Sequence, residues 1–313
     1  MNDHRALIPP GKAGRGEGVR FVCAPFSMRF DGANKNTMRT FSTIVILILV
    51  LLGAARISGI FRVSDRTIIS FSKMIEDFVR SDIIVIGEIH GDPRHHALEL
   101  EVIKTLHESD TPMIIGMEMF RQSHQKDLDA WTQGVMPRDR FVQIYYRNWA
   151  IQWTLYEAIF LYAREHGIPI AGLNIPDEIT TAIARRGFSA LTSDERQRLP
   201  AGISCTIDKS YMAFIRRAYA GHDRGDGKSF LHFCEVQMVW DKSMAANLIA
   251  FMKENPGKKA VVLAGVGHAW RRGIPEQLSL LSEYRTQVIL PALPDQSDLK
   301  SVSVEDADYL VLP

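Results

Sequence analysis

Two matched patterns, Gly87-Glu88-Ile89-His90 and Gly265-Val266-Gly267-His268, stand about 180 residues apart in this chain. Around them, Glu118 and Asn174 also fall where an apolar run stops. Two imidazoles and two carboxylates at such positions suit a divalent metal such as zinc, manganese or iron. A glutamate outside the ligand set would then serve as general base on metal-bound water. The same residues also fit a hydrogen-bonded polar cluster, because polar groups at strand ends often cap the following helix, although four strands ending in such groups is more than capping requires. Metal candidates are therefore His90, His268, Glu88 and Glu118, with Glu88 and Glu118 as the catalytic carboxylates if the chain is a hydrolase. His95 and His96 add donors nearby. They open a helix and point in different directions, so at most one of them joins the same site.

The elements that must position these groups are readable from periodicity. Buried parallel strands are expected at Ile83 to Gly87, Met113 to Met117, Pro169 to Leu173, Ala260 to Ala264 and Thr286 to Leu290. A helix is expected from Pro93 to His107, a short one from Ser72 to Arg80, and an edge hairpin over Arg62 to Ser70. Alternation of strand and helix predicts an α/β fold with a mostly parallel central sheet flanked by helices. The long helical stretches about 120–165 and 176–253 predict a helical cap subdomain. In such sheets ligands bind beyond the carboxyl ends of the strands, so two histidines distant in sequence can share one cleft.

An aromatic-rich stretch offers a second chemistry. Trp131, Phe141, Tyr145, Tyr146, Trp149, Trp153, Tyr156, Phe160 and Tyr162 could line a slot for haem, with a tyrosine phenolate on ferric iron and Arg147, His124 or His95 beside the propionates. Aromatics at helical spacing also build ordinary cores. Gly265-Val266-Gly267 lacks the third glycine and the lysine of a phosphate loop, which excludes nucleotide binding. No Gly-x-Ser-x-Gly elbow supports serine catalysis, and nothing beside Cys234 marks it as a nucleophile.

The chain of 313 residues is 46% hydrophobic and 23% charged, enough for a full core. Residues 1–37 have no apolar period and read as an upstream extension. Met38-Arg39-Thr40 and the uncharged stretch Thr43 to Ala55 follow, giving a secretory signal or signal anchor over 38–57. That stretch is too short to span a bilayer comfortably. Setting aside the 8 basic and 3 acidic residues of 1–56 leaves 29 basic and 33 acidic residues. An exported body of that charge gives no support for nucleic-acid binding. Cys205 and Cys234 could pair in an oxidising compartment.

Ile84-Val85-Ile86-Gly87-Glu88-Ile89-His90-Gly91-Asp92, followed by His95-His96, resembles the opening signature of ChaN-type haem-binding proteins. These belong with Tiki, TraB and erythromycin-esterase-like proteins in one superfamily. Gly116-Met117-Glu118-Met119-Phe120, the run from Ala163 to Pro169, Leu173-Asn174, the run from Gln237 to Ala245 and Ala264 to His268 match in order. The resemblance covers 60–291, leaving 292–313 as a tail. It implies an extracytoplasmic, membrane-associated protein in haem or iron uptake, handing haem to outer-membrane or cell-surface transport components. It also implies a homodimer enclosing the ligand, with Tyr156 on the iron and Trp153, His95 and His96 beside the haem. Glu157 stands where the family has arginine, and the lipid-anchoring cysteine is absent. The Tiki-like branch implies a rival, metal-dependent peptide cleavage using the paired motifs. A non-catalytic scaffold is the third reading.

Overall fold

The apolar runs become strands. In the computed structural model, which describes residues 59–218, 227–292, 299 and 301–313, β1 (Ile60–Arg62) and β2 (Thr67–Ile69) form the expected edge hairpin. The inner strands are β3 (Ile83–Glu88), β4 (Met113–Arg121), β5 (Ile170–Asn174), β6 (Lys259–Gly265) and β7 (Thr286–Pro291), and β8 (Tyr309–Val311) follows near the end. All eight make one sheet in the order β2-β1-β8-β7-β3-β6-β4-β5. From β8 to β5 every neighbouring pair is parallel. The signal segment expected over 38–57 and most of the turn-rich stretch 221–227 lie outside the described residues. Among those residues no helix is long and apolar enough to cross a membrane.

The helices are α1 (Phe71–Asp77), α2 (Pro93–Glu108), α3 (Gln125–Thr132), α4 (Arg138–Asn148), α5 (Trp153–Glu165), α6 (Asp177–Arg186), α7 (Ser193–Gln197), α8 (Lys209–Ala218), α9 (Gly227–Glu254), α10 (Val266–Ala269) and α11 (Ile274–Leu281). Side chains alternate across the sheet as the pleat requires. Ile84, Ile86, Ile115, Met117, Val261 and Leu263 pack under α2 and the aromatic helices α3 to α5. Ile83, Val85, Ile114, Ala260, Val262 and Val288 pack under α8, α9 and α11. The crossover from β3 to β4 thus covers one face and that from β6 to β7 the other. The chain leaves the adjacent ends of β3 and β6 in opposite directions, a switch point that opens a crevice at the carboxyl edge.

Four local features add to the expected picture, the first two at the site. β4 runs on to Arg121, so Glu118 lies inside a strand rather than at its end. The β4–β5 register slips between Met117 and Arg121, and such an irregularity re-aims a side chain. The tail strand β8 enters the sheet interior, between β1 and β7. Cys205 and Cys234 are not joined as a disulfide.

Candidate functional site

The matched patterns owe their likeness to strand register. β3 and β6 are adjacent and parallel, and Glu88 pairs directly with Gly265, so His90 and His268 leave the sheet at the same level. The glycines permit close packing there. A Cβ at Gly87 would stand 2.7 Å from Leu290 and 3.1 Å from Ala269, which begins the exit from α10. A Cβ at Gly265 would stand 2.8 Å from His90 Nε2, so the imidazole lies over bare backbone.

Each histidine is backed by a carboxylate. His90 Nδ1–H donates to Glu88 Oε1 at 2.6 Å, and His268 Nδ1–H donates to Asp241 Oδ1 at 2.6 Å. Such partners fix the tautomer and leave Nε2 for chemistry. Glu118 stands between the two rings. Its Oε2 accepts from Gly265 N–H at 2.7 Å, and its Oε1 lies 3.9 Å from His268 Nε2. Burial alone would depress the His268 imidazole, but the Glu118 and Asp241 carboxylates outweigh it and hold it up to about 9. Burial pushes the Asp241 carboxyl up to about 6. His90 is raised as well, its desolvation outweighed by the Glu88 hydrogen bond and the charge of Glu118. Its side chain is 31% exposed, and the Trp149 ring packs edge-on against it at 4.9 Å. Trp240 covers His268 in the same manner at 5.5 Å. The helical additions thus close over the carboxyl edge of the sheet.

Behind His90 lies a second, wholly buried group. Glu88 Oε2 is 3.0 Å from His96 Nδ1, and Glu99 Oε2 is 3.1 Å from the same nitrogen. His96 Nε2–H donates to the His90 carbonyl at 3.0 Å, and the Tyr156 hydroxyl donates to Glu88 Oε1. Burial would raise Glu88, yet the hydrogen bonds from His90 and His96 hold its carboxyl far below the usual range. Glu99 goes the other way: burial and then the Glu88 charge push it well up. His96, despite desolvation, is held up to about 10 by the two carboxylates.

The proposed metal set of His90, His268, Glu88 and Glu118 therefore divides. Glu88 backs His90 from behind and belongs with His96 and Glu99. His90, Glu118 and His268 face the cleft. Of the two adjacent histidines only His96 joins the polar cluster, while His95 Nδ1 accepts from Ile89 N–H at 2.8 Å and closes the loop. Tyr156 departs from the expected iron ligand. Its ring is fully buried, its hydroxyl is committed to Glu88, and burial with the Glu88 charge pushes the phenol well above its ordinary value. Trp153 is core as well, stacked on Phe160 at 5.3 Å and edge-on to Tyr145 at 5.2 Å. Glu157 is neutralised by Arg138. His124 pairs with Asp127 at 2.9 Å. Asn174 donates to the Glu118 carbonyl at 2.9 Å and so braces β4 rather than entering the cleft.

Asp241 and Glu99 are the site residues that sequence reasoning missed. Glu99 carries a legible signal, since with His96, Ile103 and Leu106 it falls on the buried face of α2. A groove of about 1040 Å³ opens beyond the ends of β4 and β5, lined by Arg121, His124, Asp177, Arg198 and Lys253 among others. Its strongest cations are partly spent on Arg121–Asp177 and Arg198–Glu178 pairs. Neither Glu88 nor any of the cleft residues His90, Glu118 and His268 lines it.

One solved structure supports this architecture. ChaN of Campylobacter jejuni, solved for its cofacial haem binding, is 20% identical with a TM-score of 0.62, covering 80% of this chain and 95% of its own. An erythromycin esterase in its open conformation is 12% identical with a TM-score of 0.44, covering 71% of this chain and 73% of its own. The type III effector HopBA1 is 12% identical with a TM-score of 0.48, covering 76% and 90%. No curated protein matches the chain. The family described as "Haem-binding uptake, Tiki superfamily, ChaN" matches residues 74–278, a span that holds β3 to β6 and every cleft residue. This chain belongs to that family.

Proposed function

We propose that this chain is an extracytoplasmic haem-binding protein of a haem or iron uptake system, taking haem at the rim of the cleft. The observation that carries the reading is the surface pair Tyr146 and Arg147 at the end of α4. Tyr146 is 53% exposed, and Arg147 beside it is exposed too. Trp149, two residues on, packs against His90. A surface phenol can ligate ferric iron as phenolate, and the Trp153 backbone N–H donates to its oxygen at 3.1 Å, which fixes where that oxygen stands. A neighbouring guanidinium suits a haem propionate. Family membership and the cofacial haem of the Campylobacter relative support the ligand. The basic, apolar stretch over 38–57 supports export, and a cofacial arrangement supports a homodimer that passes haem to membrane transport components.

Haemin titrated into the purified protein is expected to give a saturable Soret shift. Tyr146→Phe should move the bands and weaken binding roughly tenfold or more, about 1.4 kcal/mol, whereas Tyr156→Phe should leave the spectrum alone. No saturable spectrum at micromolar haemin removes the reading. An unaltered Tyr146→Phe spectrum removes the rim as its place.

A second reading, a hydrolase, is favoured by the two carboxylate-backed imidazoles on either side of Glu118. One ring would take a proton from water while the other stabilises developing charge. Turnover of ester or peptide substrates, abolished by His268→Asn and by Glu118→Gln, is the expected result. Rates at buffer background in the wild type would sink it.

A further inference from the structure

We infer that Glu88, His96 and Glu99 form a buried binding site for one divalent transition metal, manganese or ferrous iron, behind the cleft rather than in it. The inference is independent of haem binding. Among the described residues, these three alone offer three ligand atoms all within 4.8 Å of one another, and all three are buried. Octahedral bonds of about 2.1 Å set neighbouring ligand atoms about 3.0 Å apart. The observed spacings from His96 Nδ1 are 3.0 Å to Glu88 and 3.1 Å to Glu99.

Two further observations separate this from a plain acidic cluster. His96 gives its Nε2–H to the His90 carbonyl, the outer contact by which a ligating imidazole is aimed, so Nδ1 is the nitrogen turned to the carboxylates. Glu99 is fully buried, and its Oε1 and Glu88 Oε2 both lack a donor, so the two carboxylates are reconciled here either by a proton between them or by a cation. A buried carboxylate oxygen in that state costs stability unless something binds it. One imidazole nitrogen with carboxylate oxygens suits manganese or iron better than the harder calcium or the thiolate-seeking soft metals. A cation of charge +2 balances the two carboxylates, and its binding releases two protons to solvent, one from His96 Nδ1 and one from Glu99.

The site would act on the cleft through one residue. Glu88 offers Oε2 to the metal while Oε1 takes the His90 and Tyr156 hydrogens. Metal on Glu88 would therefore fix the geometry of His90 without touching the haem or substrate side. Glu88 serves here as a positioning residue for His90.

The test uses chelator-stripped full-length protein titrated with Mn²⁺ and followed by the electron paramagnetic resonance signal of the free ion. One equivalent is expected to disappear in the wild type, with a rise in the thermal midpoint. Glu99→Gln, which keeps the shape and one acceptor, should weaken uptake at least tenfold and abolish the thermal rise. His268→Asn should take up Mn²⁺ as the wild type does, because His268 lies across the cleft. The inference is overturned if the wild type leaves the free signal unchanged, if Glu99→Gln binds normally, or if His268→Asn loses the ion. The wild-type titration decides by itself if the Glu99 variant does not fold.

Discussion

Glu88→Ala is expected to cost the metal-free protein about 3 kcal/mol or more of folding free energy, the largest loss of any single substitution at the carboxyl edge. Glu88 is fully buried, takes hydrogens from His90 and Tyr156 on Oε1, and holds Oε2 3.0 Å from His96 Nδ1. Removing it strands a buried imidazolium and a buried phenol together, and each unpaired group carries a desolvation cost of about 1–3 kcal/mol. Glu99 limits the damage. Burial still holds its carboxyl up, but loss of the Glu88 charge removes the second cause and leaves it the one carboxyl beside His96, 3.1 Å away. The loss should therefore fall near the lower end of the 3–5 kcal/mol range seen when a buried ion pair loses one partner. Glu88→Gln, which keeps one acceptor oxygen, should cost less. Urea unfolding followed by circular dichroism measures both. A loss under about 1 kcal/mol for the alanine variant would mean that the cluster is solvated or rearranged.

The sequence made His90 and His268 legible because one physical cause produced both: adjacent parallel strands ending level, each in a glycine that lets a ring or a helix approach. The same pattern led to Glu88, but not to its role, since nothing in the spacing says whether a side chain faces the cleft or the layer behind it. Glu118 was found as a polar residue after an apolar run, although the strand continues past it through a register slip that no periodicity marks. Asp241 and Glu99 were hidden because a charged residue on an amphipathic helix ordinarily faces water. Only their phase against Leu248 and Ile249, or Ile103 and Leu106, turns them inward. Tyr156 shows the converse error. The resemblance implies Tyr156 as the iron ligand, whereas an aromatic at helical spacing more often fills the core, here against Tyr145 and His96. β8 was weak in the sequence because three residues carry little pattern. Its partners β1 and β7 supply the register that makes it a strand.

Stability of the metal-free protein is expected to fall as pH rises from 7 to 8.5, and the histidines of the two clusters set the sign. In the unfolded chain an imidazole titrates near about 6.5. In the folded protein His268 is held up to about 9 and His96 up to about 10, so over this interval the native state keeps protons that the unfolded state has released. Where the native state binds more protons, stability drops with increasing pH. The contribution is complete below about 6.5 and is gone once each folded value is passed. The groups facing His268 are Asp241 from α9 and Glu118 from β4. Asp241, raised by burial to about 6, has already lost its proton in both states at pH 7. Glu99, raised by burial and the Glu88 charge, adds to the same trend. Glu88, held low, matters only below about pH 4.5 and with opposite sign. Cys205, pushed by burial up to about 12, begins to contribute as pH nears 9, which is why the interval stops short of that. Each imidazole can contribute up to about 1.4 kcal/mol per pH unit, so the pair should lower stability by on the order of 3 kcal/mol over 1.5 units. Denaturant midpoints at pH 7, 7.75 and 8.5 read this directly. His268→Asn should remove about half the slope while leaving the His96 share intact. A midpoint that is flat or rises across the interval in the wild type would show that these imidazoles are neutral in the folded protein, and the His268–Asp241 dyad would then hold no charge for the cleft to use.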